Sequence, residues 1–395
     1  MNTSDDSKPT GHEQRHIGCI STSRADAGIY ESLFNTLAKK TQWRITCFAG
    51  GTHLSAEFGG TLNELQSVEG IEVVPVDHLV PGDGPEQVAE TAGRATIAFS
   101  KALARANLHL LFVLGDRTEM LAAALSAVIH GIPIAHLHGG ERTEGAYDDV
   151  CRHAITKMAH LHFPALPEYA DRIRKMGEED WRIHTVGALA LDGLIRFQPE
   201  PIGDLSASLG LDFSEPTLVL AYHPETLATQ SPADQIQQVL AALREFDMNL
   251  LVLGSNADVG HGAIESALRD FVADRPRARF IPSLSRSQFW SCLHHADLLI
   301  GNSSAGIIEA ASFELPVVNI GQRQAGRARV PNILDTPADK VKIMKAIHQA
   351  TSQEFKGGLT GLVNPYSKGG GASQVVKILR NLPSREVLLK KQWPE

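Results

Sequence analysis

Cysteine is scarce: Cys19, Cys47, Cys151 and Cys292 are the four in 395 residues, and no two form a C-x-x-C pair. That spacing excludes a disulfide framework and a thiolate zinc site, and it fits a reducing cytoplasm. Long hydrophobic runs are missing as well. The longest, such as Met120 to Leu125, reach about six residues, against the roughly 20 that a membrane span needs. Residues 1–15, MNTSDDSKPTGHEQR, have no apolar segment of the kind a secretory signal carries and read as a disordered lead-in. Positive charge is in deficit, 37 Lys plus Arg against 45 Asp plus Glu, for a formal net charge of −8. Most of the surface would therefore repel nucleic acid and anionic lipid, so neither is expected as a partner. An anionic ligand has to be held by a local cluster of cations. No G-x-G-x-x-G comes after any strand candidate, which disfavours a dinucleotide redox cofactor.

What is present is an ordinary globular composition, 43% apolar and 21% charged, in a chain long enough for two domains. From His16 onward, short β-branched or Leu-rich runs alternate with stretches whose apolar residues recur at three and four, the rhythm of βα units. Strands are expected at His16–Ile20, Arg44–Phe48, Glu72–Val76, Leu108–Leu114, Pro133–Leu137 and Ile183–Val186. After the Pro-rich stretch Gln198–Gly203, which reads as a linker, a second series is expected at Leu218–Tyr222, Leu250–Gly254, Arg279–Pro282, Asp297–Gly301 and Val317–Ile320. The expected fold is α/β, with two doubly wound Rossmann-like domains facing across a cleft, residues 16–197 and 204–372. The helical spacing of Val375, Val376, Leu379 and Leu382 lets the tail, residues 373–395, cross back over the first domain.

In open parallel sheets ligands lie beyond the carboxyl ends of the strands. The residues at those ends are Ser23-Arg24-Ala25-Asp26, Gly115-Asp116-Arg117, His138-Gly139-Gly140-Glu141, His223-Pro224-Glu225, Gly254-Ser255-Asn256 and Gly301-Asn302-Ser303-Ser304. Ser303 and Ser304 open a helical pattern, where free N–H groups bind phosphate or a serine simply caps the helix. The basic segment Gln322–Arg327 after the next strand favours phosphate, because Arg offers a bidentate fork. Glu309 is placed either to accept from ribose hydroxyls or as a solvated acid. Arg24 and His223 lie where the two domains would face each other, each able to reach a diphosphate from its own side.

The segment from Gly115 to Asp149 is densest in chemistry. Asp116, Glu141 and Asp148 stand on adjacent strand ends and supply the acid and base that proton abstraction or glycoside cleavage requires. His136-x-His138 puts two imidazoles on one face of a strand, a spacing that metal hydrolases also use. In the plainer alternative, Asp148 or Asp149 starts a helix, Glu141 pairs with Arg142 or Arg152, and one histidine is satisfied in the core. His160-Leu161-His162 alternates within a strand-like run and reads as core and surface rather than a ligand pair, and Gly369–Gly371 as a turn or a phosphate approach.

At these residues the chain resembles the hydrolysing branch of the UDP-N-acetylglucosamine 2-epimerase family. The resemblance rests on Thr22-Ser-Arg-Ala-Asp26, Gly115-Asp-Arg117, Gly139-Gly-Glu141, Asp148-Asp149 with Arg152–Lys157, and Gly301–Ser304 with Glu309 and Gly321–Gln324, in order over residues 16–380. It implies a two-domain fold of the glycosyltransferase-B type and a UDP-linked 2-acetamido sugar as substrate. The reaction implied is anti elimination of the nucleoside diphosphate to a 2-acetamidoglycal, then hydration to the free 2-epimer, with no metal or cofactor. By motif position Asp116, Glu141 and Asp148 are candidate acids and bases, with the division between them open. Arg24, Arg117, His223, Ser303, Ser304, Glu309 and Arg323 would hold the nucleotide, with Asn256 near the base or ribose. Many members carry a carboxylate where this chain has His138, so either His138 or Glu141 takes that role. N-acetylglucosamine and a 2,4-diacetamido-2,4,6-trideoxy sugar of the sialic or legionaminic acid routes both fit. A cytoplasmic homodimer or homotetramer is implied. A glycosyltransferase, a zinc hydrolase built on His136, His138 and Asp116, and a non-catalytic nucleotide-sugar sensor are the rival readings.

Overall fold

The computed structural model describes residues 15–39, 43–255 and 258–392. Apart from Arg15 the expected lead-in lies outside the described residues, and so does Asn256. Among the described residues twelve strands form two parallel sheets. The first contains β1 (Arg15–Ser21), β2 (Trp43–Gly50), β3 (Glu72–Val76), β4 (Leu110–Leu114), β5 (Ile134–Leu137) and β6 (Leu161–Phe163). The second contains β7 (Thr217–Ala221), β8 (Asn249–Leu253), β9 (Ala278–Ile281), β10 (Leu298–Gly301), β11 (Val317–Ile320) and β12 (Ile333–Thr336). Their orders, β3-β2-β1-β4-β5-β6 and β12-β11-β10-β7-β8-β9, are one topology used twice. In each the strand order reverses between the first and fourth strands, opening a crevice at the carboxyl ends of β1 and β4 and of β7 and β10.

The central strands read Leu-Leu-Phe-Val-Leu in β4 and Thr-Leu-Val-Leu-Ala in β7 and are buried along their whole length, because helices cover both faces of a parallel sheet. The first sheet has one continuous core, and the second has one on each face. The helix Gly371–Arg380 places Val375, Val376 and Leu379 in the core of the first sheet. Its first turn is capped by Asp192, which accepts from the N–H groups of Gly371 and Ala372 at 2.8 and 2.6 Å. The Gly369–Gly371 turn thus serves a helix end and does not line the cavity between the two sheets. Among the described residues no helix is long and apolar enough to cross a membrane.

Two strands depart from expectation. The sixth strand is Leu161–Phe163, while Ile183 makes only an isolated bridge to His162. The strand-like alternation of His160-Leu161-His162 marks this segment, although it stands outside the expected series. Both histidines are buried rather than one being at the surface. His160 Nδ1 accepts from the Ile134 N–H at 3.0 Å, and His162 Nε2 lies 3.1 Å from Glu178 Oε2. The strand β12 had no expectation at all. It is a four-residue edge strand with Thr336 as its one buried member, too short and too polar for periodicity to register.

Candidate active site

A cavity of about 600 Å³ lies between the carboxyl ends of the two sheets and is lined from both. On the first sheet, Asp116 follows β4 and enters an ion pair with Arg152, a fully buried side chain that also donates to Thr143 Oγ1 at 3.2 Å. Asp148 is the first residue of the helix Asp148–Met158. Burial, and then the carboxylates of Asp116 and Asp258, push its carboxyl up to about 8, against the pull of Arg323 and Arg117. A helix N-terminus would ordinarily favour the ionised form. Here desolvation and like charge win, so the group still binds its proton near neutrality. Asp149 does not share this role. It accepts from the Thr143 N–H at 2.7 Å and lies near His153 and Arg152.

The chain leaves β5 through His138, whose φ of 61° is left-handed, a conformation costing a side-chain-bearing residue roughly 1–3 kcal/mol. This turn corrects the expectation that His136 and His138 share a strand face. His136 stays in the sheet with Nε2 2.8 Å from Gly115 O and Nδ1 3.2 Å from Thr156 Oγ1, and burial drives its imidazole down to about 3. Both of its ring nitrogens are occupied, and among the described residues no group of three or more His, Cys, Asp or Glu could hold a metal ion. His138 lines the cavity, and its Nδ1 lies 2.7 Å from Glu141 Oε1.

Glu141 itself is not in the cavity wall. It is fully buried, paired with His138 and, through Oε2, with Arg327 Nη2 at 2.8 Å. Burial alone would raise its carboxyl, but Arg327 and His138 hold it at about 2. An ionised carboxylate can only accept, so His138 Nδ1 is the donor of this bond, and in the neutral tautomer this leaves the lone pair on Nε2. Among the described residues that Nε2 has no hydrogen-bond partner. The expected pairing of Glu141 with Arg142 or Arg152 is not made, since Arg142 pairs with Glu144 and Arg152 with Asp116.

The second sheet supplies a different kind of wall. His223 follows β7, and its backbone N–H and C=O bond the Asn302 side chain at 2.7 and 2.8 Å, tying the ends of β7 and β10 together. Burial, Arg323 and Arg117 hold its imidazole well below the usual range, so it acts as an uncharged hydrogen-bonding group. Ser303 caps the short helix Ser304–Ile308 with its hydroxyl 3.4 Å from the Ala305 N–H, and both serines line the cavity. Arg323 also lines it, held only loosely, 3.4 Å from Asp258 Oδ2 and 3.5 Å from Asn302 O. Glu309 accepts from Trp290 Nε1 at 2.9 Å, and burial raises its carboxyl against the opposing pull of Arg286.

Two first-sheet cations complete the wall. Arg24 is already engaged, paired with Glu64 and donating to Ser283 Oγ at 3.2 Å. Burial would lower the Arg117 guanidinium, but Asp26, Asp258, Glu119 and Asp148 raise it further above the usual range. Of the expected residues that the structure describes, all converge on one cavity but Glu141, which stands behind it. Sequence reasoning missed the parts of Arg152, Asp258 and Arg327. Arg327 was visible in the basic segment Gln322–Arg327 but was grouped there with phosphate binding. Asp258 had no signal of its own.

Residues 35–380 match the family described as UDP-N-acetylglucosamine 2-epimerase. A Legionella pneumophila protein named UDP-N,N'-diacetylbacillosamine 2-epimerase (hydrolyzing) is 32% identical over 382 residues, 95% of this chain and 98% of its own length. A Campylobacter jejuni protein named GDP/UDP-N,N'-diacetylbacillosamine 2-epimerase (hydrolyzing) is 32% identical over 346 residues, 87% of this chain and 89% of its own. Among solved structures, UDP-GlcNAc 2-epimerase from Neisseria meningitidis, bound to UDP-GlcNAc, has a TM-score of 0.78 at 13% identity, covering 93% of this chain and 100% of that one. At that identity the likeness is one of fold, and it is the fold expected for the glycosyltransferase-B type.

Proposed function

Since the chain belongs to the UDP-N-acetylglucosamine 2-epimerase family, we propose that it is a hydrolysing 2-epimerase of a UDP-linked 2-acetamido sugar. The names of the relatives from Legionella and Campylobacter favour UDP-2,4-diacetamido-2,4,6-trideoxyglucose over UDP-N-acetylglucosamine. The observation that carries the reading is the split of one cavity into two walls. Asp116, Asp148 and His138 gather on one side, and Arg323, His223, Ser303 and Ser304 on the other.

A C2–H is weakly acidic, so a base must be aimed at it while cations stabilise the departing diphosphate. His138 Nε2 takes the C2 proton, the C2–H electron pair becomes the C1=C2 bond, and the C1–O bond breaks with its pair leaving on UDP. Arg323 and Arg117 carry the charge that develops on the diphosphate, and the Ser303 and Ser304 end of the cavity receives it. In the hydration step Asp148 delivers its proton to C2 on the opposite face, and water adds at C1 with its spare proton passing to Asp116. Exchange with solvent restores the starting protonation. The free 2-epimer, of the N-acetylmannosamine type, and UDP leave.

Proton NMR of the full chain with each UDP-sugar in D2O tests the reading. Free 2-epimer deuterated at C2, with UDP released, is the expected result, and the faster substrate identifies the sugar. Intact UDP-sugar in both reactions refutes it.

A further inference from the structure

The proposed mechanism uses His138, whose orientation depends on a residue from the other half of the molecule. Glu141 holds His138 Nδ1, and Glu141 is in turn held by Arg327, which follows β11 in the second lobe. The Arg327 side chain is nine-tenths buried yet lines the cavity, and among the described residues its Nε and Nη1 have no hydrogen-bond partner.

The lobes meet beside this pair almost backbone to backbone. The Glu144 N–H donates to Ala325 O at 3.1 Å, the Leu227 N–H to Gly145 O at 3.2 Å, and the Tyr147 N–H to Thr226 Oγ1 at 3.0 Å. Glycine permits the approach. A Cβ on Gly145 would fall 2.5 Å from the Gln322 carbonyl carbon, and one on Gly326, at a φ of 86°, would fall 2.7 Å from Arg142 Cβ. On the far side Tyr169 OH accepts from the Ala328 N–H at 3.1 Å and bonds Tyr366 OH at 2.7 Å. The backbone on either side of Arg327 is thereby fastened to the first lobe.

We propose that Arg327 is a positioning residue that makes proton transfer at the sugar conditional on contact between the lobes. By clamping Glu141 it fixes the His138 ring with Nε2 facing the C2–H. With the lobes apart, Glu141 loses its cation and the ring is free to turn, so the base is assembled only when the nucleotide-binding wall is in place. The inference rests on the hydrolysing-epimerase reading, and its test separates the two.

The full chain is assayed with whichever of the two UDP-sugars the wild type turns over, as Arg327→Met, Glu141→Gln and the double variant. Four quantities are read: kcat, KM, UDP affinity by calorimetry, and the isotope effect with C2-deuterated substrate. We expect Arg327→Met to lower kcat about 100-fold and to raise the isotope effect, with UDP affinity within about threefold. The double variant is expected to be no slower than Glu141→Gln alone, because the two residues act in series. Removing one member of a buried ion pair risks misfolding. Should Arg327→Met not fold, the double variant, which removes both charges, decides instead. A kcat within about threefold of wild type, or a loss of UDP affinity in step with kcat at an unchanged isotope effect, overturns the role of Arg327. A wild type that turns over neither sugar overturns the epimerase reading and the inference with it.

Discussion

The two sheets share one strand order but differ in the residues at the carboxyl ends of their strands. After β4 and β5 come groups placed for proton transfer: Asp148, whose carboxyl is pushed up to about 8, and His138, whose Nε2 has no hydrogen-bond partner among the described residues. After β7, β10 and β11 come groups locked into one state: a neutral His223, two serine hydroxyls and the guanidinium of Arg323. One scaffold used twice therefore supplies a wall suited to chemistry and a wall suited to binding. The difference lies in a few residues at the strand ends and in how deeply each is buried.

The largest expected effect tests the first wall. Asp148→Asn keeps the shape but removes the transferable proton, and kcat should fall about 10²- to 10⁴-fold. Asp116→Asn should fall in the same direction. If UDP affinity drops with kcat in either variant, the two walls are not separate. Next, Arg323→Ala should weaken UDP binding about 10- to 100-fold, the worth of a charge-assisted bond in a buried site. Calorimetry that finds an unchanged affinity takes Arg323 out of the binding wall.

A third test uses pH. The folded carboxyl of Asp148 titrates at about 8, above its unfolded value, so between about pH 4 and 8 the folded state binds the extra proton. This group's stabilisation is fully present below the unfolded pKa and is lost as pH rises through 8, with a slope of up to about 1.4 kcal/mol per pH unit. Asn has the shape of the neutral carboxyl and does not titrate, so thermal melts of wild type and Asp148→Asn should lie closest at the acid end and separate as pH rises toward 8, with wild type losing stability, and parallel curves would contradict the raised proton affinity. The smallest effect is expected at Arg24→Ala. Arg24 already pairs with Glu64 and retains 26% side-chain exposure, so UDP affinity should change by less than about threefold. A large loss would move Arg24 into the binding wall beside Arg323.

Much of the fold is legible in the chain. Buried parallel strands are continuous apolar runs, so β11 falls where the run predicts, and β4 and β7 fall within two residues of it; the edge strand β3, with Val76 as its one buried residue, also lies at its expected bounds. The failures share a cause. β6 carries His162, whose burial is satisfied by Glu178, and β12 is a short edge. In neither does composition report burial. At the site, the rule that ligands gather at strand ends locates Asp116, His138, His223, Ser303 and Arg323 without any coordinates. It fails for Glu141, just past a Gly-Gly turn, where the chain direction is no longer set by the strand.

The sequence by itself determines the βα alternation, the polar strand ends and the local cationic segment, because each depends on neighbours in the chain or on the periodicity of one element. Only the tertiary structure decides that Glu141 lies behind His138, that Arg327 reaches it from the other lobe, and that Asp148 retains its proton. Those properties are set by burial and by charges brought together from distant parts of the chain, and a carboxylate's proton affinity depends on the charges around it in space.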